Sequence, residues 1–193
     1  MTLELRKEEI ETCTRLYKEF LFYCTVSQCF TKAFLSIKGV YFRVEIMGQP
    51  ITWIQPYKFN QRLPFDIDYK VMGTFTEFYM GLLKFINFKL YSDLGLSYPF
   101  AQMPVSNEVY QADEVRHMQA SARKLFEQGQ DEDEQGEAGD FQDTPEMQAI
   151  KKRLEATKAQ RRLFQKHVFL LGRETPIYIL QHLILSFGGD FVL

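Results

Sequence analysis

The hydrophobic positions change their period along the chain, and each change predicts an element. From Lys7 onward Ile10, Cys13, Tyr17, Phe20, Leu21 and Cys24 recur at helical spacing, which predicts one helix running to about Ile37. Between Phe20 and Phe30 it is apolar on nearly every side, the pattern of a helix buried among others. Lys38-Gly39 breaks it. Residues 40–59 (VYFRVEIMGQPITWIQPYKF) then place β-branched and aromatic residues on both sides of Met47-Gly48-Gln49-Pro50, a hairpin signal. Pro50 opens the second strand and Pro56 closes it, positions that suit a sheet edge. A second helix follows, with Asp66 or Asp68 as its cap. Val71, Met72, Phe75, Phe78, Tyr79, Leu82, Leu83, Ile86 and Leu90 form its 3.6-period stripe, which stops at Gly95 and Pro99.

The remainder reads differently. Residues 101–144 form an acidic linker whose QGQDEDEQGEAGDF stretch has few large apolar groups to offset the entropy of ordering, so disorder is expected. A charged, coiled-coil-like helix is predicted over 145–165, with Lys151, Lys152, Arg153, Arg161 and Arg162 beside a narrow seam of Met147, Ile150 and Leu154. Over 166–193 the short strand HVFLLG, a helix from Pro176 to Phe187 with Ile177, Leu180, Ile184 and Phe187 inward, and the strand DFVL make a strand–helix–strand unit. Two strands and one helix cannot cover both faces of a parallel sheet, so this unit reads as incomplete. The expected fold is mainly α with a β-hairpin over residues 7–99, then the linker, the basic helix and an incomplete α/β unit.

Composition sharpens this picture in two places. Of the 29 aromatic rings, 21 fall in the first hundred residues, enough apolar area for a core there. The net charge of −2 hides an acidic middle and a basic third block, residues 148–193. Cys13, Cys24 and Cys29 are odd in number, with neither a CxxC pair nor a histidine at ligand spacing, which argues against a disulfide framework or a zinc site and for small residues on a buried helix. The charged start MTLELRKEEI lacks the apolar core of a signal peptide, and the longest uncharged apolar run, Phe20 to Thr31, is too short to cross a bilayer, so a soluble intracellular chain is expected.

Catalytic patterns do not emerge. Nucleotide-binding, zinc-protease and serine-hydrolase motifs are missing from the sequence, and His117, His167 and His182 lie apart. Asp66 and Asp68 could serve metal or acid–base chemistry, but a helix cap explains them as well. No cofactor or metal is expected. The more informative signal is basic and aromatic residues interleaved around the hairpin: Lys38, Tyr41, Arg43, Trp53, Tyr57 and Lys58. Strands bearing exposed rings and cations are one way to hold single-stranded RNA. The competing explanation is that Tyr41 and Trp53 pack the hairpin onto the helices and leave the cations in water. The basic helix, Lys151 to Arg162, has the same two readings, phosphate contact or a solvated face.

Residues 36–99 carry a more specific signal. SIKG, GQPITWI, PYKF, the DxDY entry to the second helix, TFTEFY and INFKLY…LxYP closely resemble the second half of the amino-terminal domain of the Pescadillo family. LFQKHVFLLGRETPIYILQHLILSFGGDF, within residues 163–193, is similar to the opening of that family's BRCT domain. The resemblance implies a fragment: family proteins begin upstream of Met1 and continue past Leu193 through the rest of the BRCT fold. It also implies a non-enzymatic scaffold of the nucleus, nucleolus and nucleoplasm. Such proteins join a Bop-type protein and a WD40-repeat protein, bind the pre-60S particle, and support maturation of precursor rRNA to 5.8S and 25S/28S species. Contacts with membranes are not implied. A BRCT-type phosphoprotein adaptor in DNA repair or checkpoint signalling is the alternative, resting on residues 163–193 alone.

Overall fold

The computed structural model describes residues 7–58, 66, 68–96, 98, 113, 115–120, 152 and 155–193. The described elements are helices, a three-stranded antiparallel sheet and a two-stranded parallel sheet. Helix α1 (Lys7–Ser27) is the centre of the molecule. Leu16, Phe20, Leu21, Phe22, Tyr23, Cys24 and Val26 are all buried, as the nearly all-round apolar run predicts. Full burial of such side chains stabilises a fold by roughly 1.5–3 kcal/mol each.

The helix ends ten residues before the predicted Ile37. Gln28 adopts a left-handed conformation (φ 53°), and the Cys29 amide donates to the Cys24 carbonyl at 3.3 Å. That bond satisfies a carbonyl of the last turn, as a Schellman-type stop does. Cys29 therefore leaves the helix, while Cys24 stays inside it with its thiol pushed up by burial. The residues that continue the apolar pattern form a strand, β1 (Phe30–Ser36), which pairs antiparallel with β2 (Gly39–Ile46). Strand β3 (Gln49–Pro56) completes the order β1-β2-β3, so the expected hairpin is the second half of a meander, and the two prolines do stand on an edge strand. Two turns hold the sheet together. Met47 and Gly48 both have positive φ, the geometry of a two-residue β2–β3 turn. At Gly39 a Cβ would meet the Gln55 carbonyl oxygen at 2.2 Å, so only glycine fits there.

Side chains alternate across β2. Val40, Phe42, Val44 and Ile46 are buried toward α1, whereas Tyr41, Arg43 and Glu45 are exposed. Phe20, Phe30 and Phe42 surround the Trp53 ring at centroid distances of 5.4, 6.3 and 5.6 Å, and the indole Nε1 donates to the Tyr17 hydroxyl at 2.9 Å.

Helix α2 (Tyr69–Asp93) begins where expected, with the Asp68 carboxylate accepting from the Lys70 and Val71 amides at 2.9 and 3.3 Å. Asp68 is thus a cap, and Asp66 is an exposed turn residue. The helix stops at Leu94 and the left-handed Gly95. Its C-terminal half packs on α1 through Asn87, Leu90, Tyr91 and Leu94. A polar network lies in that contact: Asn87 Nδ2 donates to the Leu16 carbonyl at 3.1 Å and the Tyr91 hydroxyl to the Glu19 carbonyl at 2.7 Å. The Tyr98 hydroxyl donates to the buried Glu19 carboxylate at 2.7 Å. Burial and that carboxylate together push the Tyr98 pKa up to about 12.

Most of the expected linker lies outside the described residues, but residues 115–120, within it, form a helical piece, α3. Composition hid it because only Val115, Met118 and Gln119 turn inward. Gln119 Nε2 donates to the Thr25 carbonyl at 2.9 Å and the Leu185 carbonyl at 3.1 Å, joining two other helices. The charged helix, α4 (residues 155–161), gives way to turns after Arg161, short of residue 165. Strand β4 (Val168–Leu170), helix α5 (Ile177–Ser186) and strand β5 (Asp190–Val192) follow, and β4 and β5 pair in parallel as predicted.

Helix α5 presents a different face from the expected one. Ile179, Gln181, His182, Ile184, Leu185 and Ser186 are buried, while Ile177, Leu180 and Phe187 are only partly so. The reason is that α5 packs against α1 as well as its own strands. Gln28 Nε2 donates to the Ser186 carbonyl at 2.9 Å, and Arg116 pairs with Asp190. His182 Nδ1 lies 3.0 Å from Thr25 Oγ1, whose own proton goes to the Leu21 carbonyl at 2.9 Å, so the ring donates from Nδ1. No described helix is long and apolar enough to cross a membrane.

Candidate nucleic-acid interface

The inward residues of β2 are covered by α1, although Ala33 and Leu35, their partners on β1, stay exposed; the outer face carries the cations and open rings. Cross-strand partners share a face, so the register reads directly as a surface. Lys32 stands opposite Arg43, Phe34 opposite Tyr41, and Ser36 opposite Gly39. On the far side Thr52 flanks Arg43, Ile54 flanks Tyr41 and Pro50 flanks Glu45. The Phe34 and Tyr41 rings lie 6.4 Å apart between centroids, and Phe34 is 67 % exposed. Two cations and two rings thus occupy successive rows, about 7 Å apart at two residues per same-face step. Lys38 adds a third cation at the exposed β1–β2 turn.

The residues singled out from the sequence are sorted by this geometry. Tyr41 and Arg43 share the outer face, and Lys38 stands at its end. Trp53 belongs to the inner packing, the alternative that the sequence left open, and Tyr57 is partly buried against the same core. Lys58 is tied to α5: its amide donates to the Tyr178 hydroxyl at 2.9 Å, and its Nζ sits 4.6 Å from the centre of that ring. From the basic helix, Lys152 and Arg162 are exposed and Arg161 is partly buried, while Lys151 and Arg153 lie outside the described residues. Helix α4 reaches the sheet through Gln160, whose Nε2 donates to the Thr31 carbonyl at 3.0 Å.

Two outer-face residues were missed. The helix predicted to Ile37 takes in Lys32 and Phe34, which hides their partnership with Arg43 and Tyr41. A signal was present: Ile37-Lys38 before Gly39 is a two-residue connection, and the preceding segment has the length of a strand.

Other titratable groups serve the fold. Burial holds the His182 imidazole down to about 3, so it is neutral near pH 7. Tyr17 and Tyr23 are raised by burial, while His117 on α3 and His167 before β4 are exposed and apart. Among the described residues no group of three or more His, Cys, Asp or Glu side chains converges as a metal site would require.

Comparison with known proteins bears on the same region. A family model described as Pescadillo N-terminus matches residues 1–135, extending to either side of the motif-bearing stretch. A Pescadillo homolog of Xenopus tropicalis is 37 % identical over 201 residues, covering 95 % of this chain and 34 % of that protein. The homolog of Schizosaccharomyces pombe is 34 % identical, covering 93 % of this chain and 37 % of its own length. For that of Nematostella vectensis the values are 36 %, 98 % and 39 %. The chain spans little more than a third of the length of these relatives. With a family model over 135 of its 193 residues, the chain belongs to the Pescadillo family.

Proposed function

We propose that this chain acts in ribosome biogenesis, as a non-enzymatic scaffold in assembly of the large subunit. The observation that carries the proposal is the family membership, because what the resemblance implies for the family is a nucleolar scaffold of the pre-60S particle. In this reading the chain joins a Bop-type and a WD40-repeat protein, and supports processing of precursor rRNA to its 5.8S and 25S/28S forms in the nucleus. The parallel unit β4–α5–β5 is the opening of a BRCT-like domain. Lys38, Tyr41, Arg43, Lys58, Lys152 and Arg162 are the accessible members of the contact set, with Lys151 and Arg153 beside them in sequence.

The distribution of charge is compatible with contacts to an acidic partner: exposed cations stand on the sheet and beside α4. Depleting the protein from its own cells and probing total RNA tests the proposal. The expected result is accumulation of large-subunit rRNA precursors, with the small-subunit pathway spared. An unchanged precursor profile after complete depletion contradicts it.

A further inference from the structure

We infer that the outer face of the β1–β2–β3 sheet is a platform for single-stranded RNA, with Phe34 and Tyr41 stacking bases while Lys32 and Arg43 take the adjoining phosphates. The choice of RNA rests on the ribosome-assembly reading. The platform itself rests on the geometry.

Three observations converge on it. First, Lys32 and Arg43 are cross-strand partners on one face, both exposed, and like charges placed opposite one another destabilise a sheet. Among the described residues neither cation makes an ion pair, and the nearest same-face carboxylate along β2 is Glu45, one step from Arg43 and away from the rings. A bound phosphate supplies the counter-charge that the sheet lacks at that row. Second, the next row holds two rings side by side on the open face, where water contacts them. Exposed rings on a sheet are the means by which unpaired bases are held, since every base offers a flat face to stack. Third, Lys38 lies past the ring row, so cations bracket the rings on both sides. Ile54 extends the ring row on β3, and the cation row beside it suits a strand in which phosphates and bases alternate better than it suits an apolar protein surface.

The test measures fluorescence anisotropy of a labelled twelve-nucleotide single-stranded RNA of mixed sequence titrated with the full 193-residue chain. Wild type is compared with Phe34→Ala, Tyr41→Ala, the double variant and Arg43→Gln, each checked by circular dichroism and thermal melting. Removing one ring is expected to weaken binding by about tenfold, and removing both by more. Arg43→Gln is expected to reduce the salt dependence, the slope of log K against log salt shrinking by about 0.7. A duplex of the same sequence, its bases already stacked, is expected to bind less tightly than the single strand.

Absence of binding by the wild-type chain overturns the inference. So does unchanged affinity in a folded double variant, or equal affinity for duplex and single strand. If the double variant retains RNA affinity but loses a protein from purified pre-60S material, the face belongs to a protein partner and the inference also fails. The oligonucleotide assay needs no ribosomal particle. Failure of the scaffold reading, seen in the depletion experiment, is therefore distinguishable from failure of the platform.

Discussion

Helix α2 is the more apolar of the two long helices, yet it is α1 that is buried. In α1 every large apolar residue from Phe20 to Val26 is buried. In α2 Val71, Met72, Phe75, Phe78, Tyr79, Leu82, Phe85 and Phe88 are exposed, and burial begins only at Asn87, Leu90 and Tyr91. The difference lies in the neighbours. Helix α1 is covered by the inner face of the sheet, by the end of α2 and by α5, whereas α2 meets α1 through its second half. Periodicity therefore reports that a helix forms and which side is apolar. It does not report what lies against that side.

Mutations that break this contrast have a wide range of expected effects. The largest is Phe22→Ala in α1, where the side chain is 1 % exposed and its removal leaves a cavity that costs about 3–5 kcal/mol in urea unfolding. The same change at Phe78 in α2, 70 % exposed, should stay within about 0.5 kcal/mol. Equal losses at the two positions would mean that α2 is as covered as α1.

The contact between α1 and α5 adds a pH dependence. His182 is neutral in the fold down to about 3, against an ordinary 6.5. As pH falls through 6.5 the unfolded chain takes up this proton and the folded chain does not. The contribution of His182 to stability is therefore full above 6.5 and drains away between 6.5 and 3. The limiting slope is about 1.4 kcal/mol per pH unit. Unfolding midpoints measured from pH 7 to pH 4 should fall less steeply in His182→Gln than in wild type.

Smaller effects come from single hydrogen bonds. Tyr91→Phe removes the 2.7 Å bond to the Glu19 carbonyl between α1 and α2 and should destabilise by about 1 kcal/mol. Asp68→Ala removes the cap of α2, also worth about 1 kcal/mol, and helicity should decline with it. Both are read by denaturant titration.

Much of the fold was legible in the sequence. The start of α2, its stop at Gly95, the buried run of α1, the turn at Met47-Gly48 and the parallel strand–helix–strand unit all follow from local patterns, because caps, glycines and periods are local causes. The errors arose where the cause is remote. Phe30 to Ser36 continues an apolar pattern but pairs with β2, which depends on residues beyond it in the chain. The inward face of α5 is set by α1, more than a hundred residues earlier. The candidate interface was half legible for the same reason: Tyr41 and Arg43 lie on a recognisable strand, whereas Lys32 and Phe34 join them only once β1 is seen as a strand. Trp53 could face a ligand or, as large aromatics usually do, pack the hairpin onto the helices, and the approach of Phe20 and Tyr17 shows the packing.

The most direct test of the central claim is affinity purification of the tagged chain from its own cells, with the eluate probed for large-subunit precursor rRNA and for a WD40-repeat partner. The account predicts that both are recovered and that precursor rRNA from the small-subunit pathway is not enriched. Recovery of neither, under conditions in which a tagged full-length family member brings down both, would contradict a scaffold role for this chain.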